Sequence, residues 1–148
     1  MDIKTELSNA VKEAMKSGDE VRKRTIRMVL AAIKQVEVDR RVSLDDAAVI
    51  SILQKEIKLR KEAFDEAGRA NRADLAADAQ AEIDILMVFL PEGLSAEELR
   101  ALVQAAIAET GAAAPTDMGK VMKVLLPRIA GRAPGDQVSA QVRELLQK

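Results

Sequence analysis

Apolar residues in this chain return every three or four positions, and that spacing commits it to helices packed side against side. The repeat is strongest between about 19 and 41. There Val21, Thr25, Met28, Val29, Ala32, Ile33 and Val36 share one face at 3.6 residues per turn. Upstream, Ile3, Leu7, Val11 and Met15 mark a first helix over 2 to 17, which Gly18-Asp19 breaks. A third helix is expected from Ser43, as its cap, to about Ala67, with Val49, Ile50, Leu53, Ile57 and Phe64 facing one way. Lys58 with Glu62 and Lys61 with Asp65 are spaced to pair on its wet side. After a turn at 68 to 72, Leu75, Ala79, Ile83, Leu86 and Leu90 define a fourth helix.

Pro91-Glu-Gly93 then stops the pattern, and Ser95-Ala-Glu-Glu98 restarts it with a capping box. Leu99, Leu102, Val103, Ala106 and Ile107 form that fifth stripe, and Gly111 closes it. This is the place where the chain can divide, giving a helical domain over 1–90 and a three-helix domain over 91–148. The remaining stretch, 111 to 146, holds four of the seven glycines and three of the four prolines. Within it Met118, Val121, Met122, Leu125 and Ile129 are one helical face, with Thr116 as its cap, Pro127 in its last turn and Gly131 just past its end. Val138, Val142, Leu145 and Leu146 form the next, capped by Asp136. The fold class is therefore all-α.

Composition narrows the chemistry. Only Phe64 and Phe89 are aromatic, so the core is aliphatic. Cysteine and histidine are both absent, which removes disulfides, thiol nucleophiles, imidazole bases and Cys/His metal sites. No cofactor, metal or membrane partner is expected. The start, MDIKTEL, is acidic and unlike a signal peptide, and no run approaches 18 apolar residues, so a soluble cytoplasmic protein is the expectation. Net charge is −1, so a polyanion-binding surface has to be a local patch.

Two such patches can be drawn. Lys23, Arg27, Lys34 and Arg41 fall within one sector of the second helix, flanked by Arg22 and Arg24. At 1.5 Å per residue they would span about 27 Å. In the glycine-rich stretch, Lys120, Lys123, Arg128 and Arg132 sit between the two short helices, with Gly131 and Gly135 placing backbone donors beside them. Each group reads either as a solvated helix face or as a phosphate-contacting surface. So few aromatics argue against single-stranded nucleic acid and leave structured RNA compatible.

Other candidates have simpler readings. Gly119-Lys120 lacks the earlier glycine and the following Ser or Thr of a phosphate loop, and Gly119 is expected to let a neighbouring helix approach. Asp45-Asp46 and Glu97-Glu98 lie in first helical turns, where they serve backbone donors. Ser51 and Lys55 have dyad spacing, but nothing signals the burial a dyad needs. Met28, Met118 and Met122 lie on apolar stripes and read as core.

The segments TIRMVLAAIKQVEVDRR at 25 to 41, KEIKLRKEAF at 55 to 64, AEIDILMVFLPEGLSAEEL at 81 to 99 and TDMGKVMKVLLPRIAGRAPGDQVSAQVRELL at 116 to 146 resemble the YqeY family over essentially the whole length. The C-terminal part is similar to the tail domain of the GatB subunit of tRNA-dependent amidotransferases. Pro134 departs from the pattern, since YqeY proteins typically carry Asp there. The resemblance implies an all-helical, two-domain, non-catalytic module that binds tRNA, or a complex of an aminoacyl-tRNA amidotransferase or tRNA synthetase. Any link to glutamine-dependent carbon–nitrogen ligase activity comes by association. Lys120 and Arg132 would then touch phosphate, helped by Lys123 and Arg128, with the Lys23 to Arg41 stripe as an auxiliary surface. The alternative is a protein–protein adaptor with no RNA role, marked by an exposed apolar patch.

Overall fold

The computed structural model describes residues 2–147, which form seven α-helices, one 3-10 turn and no strand. The helices are α1 (Ile3–Ser17), α2 (Glu20–Arg40), α3 (Asp46–Arg69), α4 (Ala73–Met87), α5 (Ala96–Thr110), α6 (Met118–Ile129) and α7 (Gly135–Leu146). Residues up to Leu90 make one compact unit and those from Pro91 another. No helix among the described residues is long and apolar enough to cross a membrane.

The first unit packs α1 to α4 around Leu7, Ile26, Val29, Val49, Leu53, Ile57, Ile83 and Leu86, joined by Phe89. Its stripes are turned slightly from the expected ones. On α2 the buried face is Thr25, Ile26, Val29 and Ile33, while Val21 and Met28 lie outside. On α3, Arg60 takes the core-facing place expected for Phe64, which is exposed. The i, i+4 ion pair on that helix joins Glu56 to Arg60 at 2.8 Å, in place of the two lysine pairs expected.

Asp45, and not Ser43, caps α3, accepting from the Ala48 amide at 3.0 Å, and Asp46 accepts from the Ile3 amide at 3.0 Å. Ser43 stands further back and accepts from Lys4 Nζ at 2.9 Å. The same lysine meets Glu37 Oε2 at 2.8 Å, and the Leu44 amide donates to that oxygen, also at 2.8 Å. These contacts tie α1, α2 and the segment before α3 together. The Lys4 hydrogen bond first, then the Leu44 amide, hold the Glu37 carboxyl below its ordinary value. A depressed folded pKa stabilises the fold above the ordinary Glu range and loses that contribution as pH falls through the folded value. The melting midpoint should therefore fall more steeply between pH 6 and pH 3 in the native chain than in Glu37→Gln. Parallel curves would remove Glu37 from the acid response.

The second unit is a small three-helix core of Leu99, Val103, Ala106, Val121, Leu125, Ile129, Ala133, Val138, Val142 and Leu146. Ser95 and Glu98 form the capping box on α5: the Glu98 amide donates to Ser95 Oγ at 3.1 Å and the Ser95 amide to Glu98 Oε1 at 3.2 Å. Gly111 ends α5 at φ 67, a left-handed conformation that costs a β-carbon-bearing residue strain. A 3-10 turn over Pro115–Asp117 then leads into α6. Asp117, and not Thr116, makes the side-chain bonds there, accepting from the amides of Ala113 at 3.0 Å and Ala114 at 3.3 Å. Helix α6 ends at Ile129 with Ala130 as a left-handed C-cap at φ 50, and Gly131 follows at φ 77 in the C′ place expected of it. Pro134, and not Asp136, occupies the N-cap position of α7; the Asp136 carboxylate accepts from the adjacent Gln137 amide at 2.9 Å.

Candidate nucleic-acid interface

On α2 the face opposite the core carries an open depression of about 500 Å³ lined by Glu20, Lys23, Arg24, Arg27, Met28 and Ala31. Helical geometry assembles it: residues 20, 24, 27, 28 and 31 are three or four apart and present their side chains together. Ala31 keeps its floor low. Lys23 is paired with Glu20 at 2.8 Å, so its charge is locally offset. Arg24 and Arg27 are exposed, and Arg27 Nη2 donates to Met15 Sδ at 3.6 Å. Lys34, further along, is exposed and makes no salt bridge among the described residues. Arg22 turns toward α1, 3.9 Å from Glu13.

Arg41 does not extend this stripe. It is the left-handed C-cap of α2 at φ 55, so the helical projection ends at Arg40. From Lys23 to Lys34 the basic line runs about 17 Å at 1.5 Å per residue.

The four tail cations behave differently from one another. Arg128 is held by both carboxylate oxygens of Glu109 on α5, a two-point pairing that lowers the Glu109 pKa and fixes the guanidinium. Arg132 Nε donates to the Glu92 carbonyl at 2.9 Å, and its own carbonyl accepts from the Leu94 amide at 2.9 Å. That arginine pins the entry segment of the unit to the α6–α7 corner. Lys120 and Lys123 point outward on α6 without a salt bridge among the described residues. Of the four cations, Arg128 and Arg132 are thus engaged within the unit, while Lys120 and Lys123 are exposed. Among the described residues a Cβ at Gly119 would meet nothing within 4 Å, so within its own unit no helix makes the close approach expected there.

One polar cluster escaped the sequence reading. Arg60 is 7% exposed, and its Nη1 donates to Glu56 Oε2 at 2.8 Å and to the Glu56 carbonyl at 3.0 Å. Its Nε lies 3.7 Å from Glu82 Oε2 on α4, buried and without a hydrogen bond. Glu82 in turn lies 3.5 Å from Thr25 Oγ1 on α2. The signal was present, since Arg60 follows Ile57 by three and Leu53 by seven and so must face the core. A guanidinium stays protonated and cannot act as a base, so the part Arg60 plays here is to clamp three helices. Ser51 donates to the Ala47 carbonyl at 3.3 Å and sits exposed beside Lys55, which leaves no buried dyad. Among the described residues no three acidic side chains gather as a metal site.

Fold and surface together define an all-α, two-unit chain whose distinguishing surface is a short basic helix face. The Yqey-like protein family model matches residues 4–146, and the chain belongs to the YqeY family. Curated relatives named altered inheritance of mitochondria protein 41, mitochondrial, include one from Pyrenophora tritici-repentis. It is 30% identical over 139 residues, covering 92% of this chain and 76% of that protein. A second, from Eremothecium gossypii, is 36% identical over 112 residues, covering 73% and 61%. A third, from Lachancea thermotolerans, is 35% identical over 91 residues, covering 61% of this chain and 49% of that protein. The match thus spans about half the length of this last relative. These names overturn the cytoplasmic expectation, which rested on the polar start of the chain and the lack of a long apolar run, two absences with no positive signal behind them.

Proposed function

We propose that this chain is a non-catalytic helical module that binds structured RNA through phosphates, using the outer face of α2. The observation that carries the reading is the open depression in which Arg24 and Arg27 stand without acidic partners. Cations already bound to carboxylates release little on meeting phosphate, so the free arginines of α2 weigh more than Arg128. Lys34 extends the line, and Lys120 and Lys123 are the tail unit's contribution.

The likeness of residues 116–146 to the amidotransferase tail supports tRNA as the RNA, and an aminoacyl-tRNA amidotransferase or tRNA synthetase as its protein setting. The relatives' names support a mitochondrial setting. The carbon–nitrogen ligase association, with glutamine as nitrogen donor, is one of company and not of chemistry within this chain.

End-labelled tRNA titrated at several salt concentrations tests this. Changing both Arg24 and Arg27 to Gln should lower the salt slope by about 2 and weaken tRNA and duplex RNA alike. An unchanged slope rejects the α2 face. Absence of binding at low salt would favour the adaptor reading.

A further inference from the structure

Two methionines expected in apolar stripes stand instead at the surface, each against an arginine. Met15, at the end of α1, is 54% exposed, and its Sδ accepts from Arg27 Nη2 at 3.6 Å. Met28, a wall of the α2 depression, is 50% exposed, and its Sδ accepts from Arg60 Nη2 at 3.9 Å. A thioether is a weak acceptor, so the Met15 contact leaves the Arg27 charge undiminished, while Arg60 keeps its ion pair with Glu56. We propose that Met15 and Met28 are a paired oxidation site whose sulfoxides weaken phosphate binding by the α2 face. The proposal rests on the phosphate-binding reading above.

The co-reactant is a hydroperoxide. A sulfur lone pair attacks one peroxide oxygen, the S–O bond forms as the O–O bond breaks, and the departing oxygen takes a proton to leave as water or alcohol. Sulfur is oxidised and the peroxide reduced. The product is a polar, chiral sulfoxide whose oxygen accepts more strongly than sulfur did. At Met15 that oxygen competes with phosphate for Arg27. At Met28 it adds an acceptor to the wall of the depression beside Arg60. Withdrawing one phosphate contact lowers the salt slope by about 0.9, which at 0.1 M salt is roughly an eightfold loss of affinity.

The test uses the full chain, hydrogen peroxide and labelled tRNA, with sulfoxides located by peptide mass spectrometry. The comparison protein carries Met15→Leu and Met28→Leu, which keep apolar volume and cannot be oxidised. Each protein is scored against its own affinity before peroxide. After it, the native chain should bind about eightfold more weakly with its helical circular dichroism unchanged, and methionine sulfoxide reductases should restore it. The double variant should keep its affinity although Met87, 49% exposed on α4, is oxidised in both. Native chain carrying both sulfoxides at full affinity overturns the proposal, as does an equal loss in the double variant or a loss that accompanies unfolding. If neither unoxidised protein binds, the phosphate reading fails and this proposal with it. Binding that oxidation leaves untouched defeats this proposal alone.

Discussion

Replacing Arg60 by alanine is expected to destabilise the first unit by about 3–5 kcal/mol, the range for removing one member of a buried ion pair. The reason lies in what stays behind. Glu56 and Glu82 keep only about a fifth of their side-chain surface in water (19% each), and without the guanidinium they face each other as like charges. Arg60 also touches α4 through Glu82 and α2 through Met28, so its loss loosens three helices together. Adding Glu82→Gln to Arg60→Ala should recover part of the loss, because the amide no longer needs a cation. A double-mutant cycle in urea measures this, with a coupling above about 0.5 kcal/mol expected for groups in one network. Additive effects would show that Arg60 acts through packing of its methylene stem alone. The half-formed geometry at Nε, buried but 3.7 Å from its acceptor, makes Arg60→Lys informative as well. Lysine should keep the charge and lose the fork that reaches two helices at once.

How far the sequence could be read follows from what each signal depends on. Helix number and order were legible because they depend on periodicity, and the α5 box was legible because Ser95 and Glu98 act within one turn. Caps that answer to other elements were not. Ser43 looks like a cap but is drawn to Lys4, and Asp117 reaches back to a loop because a 3-10 turn precedes α6. Faces were misjudged where a long side chain could pay for burial with a partner elsewhere: Arg60 went in with Glu82 while Phe64 and Met28 stayed out. Periodicity ranks residues by hydropathy and cannot see an acid 22 positions away. The basic residues show the same limit. A helical projection predicts that Lys23, Arg27 and Lys34 share a sector. It says nothing of Glu109 waiting for Arg128, or of Arg41 leaving the helix altogether. Family membership was legible for a different reason, since long segments of residue identity do not depend on partners.

Leu125→Ala should have a comparable effect in the smaller unit, about 2–5 kcal/mol, from lost burial plus the cavity left among Leu99, Val103, Val121, Ile129, Val138 and Val142. A unit of 58 residues, from Pro91 to Lys148, has roughly 3–9 kcal/mol to lose at 0.05–0.15 kcal/mol per residue. The substitution therefore brings its unfolding within reach of ordinary temperature. The two cores share no buried residue, so amide hydrogen exchange should speed up across α5, α6 and α7 while α1 to α4 keep their protection. Leu126 supplies the control, being the next residue on the same helix, of the same size, and exposed. Its change to alanine should stay within about 0.5 kcal/mol. If Leu126→Ala proves as costly as Leu125→Ala, the exposed side of α6 is covered in solution by something this chain does not supply. If protection is lost equally in α1 to α4, the two cores melt as one.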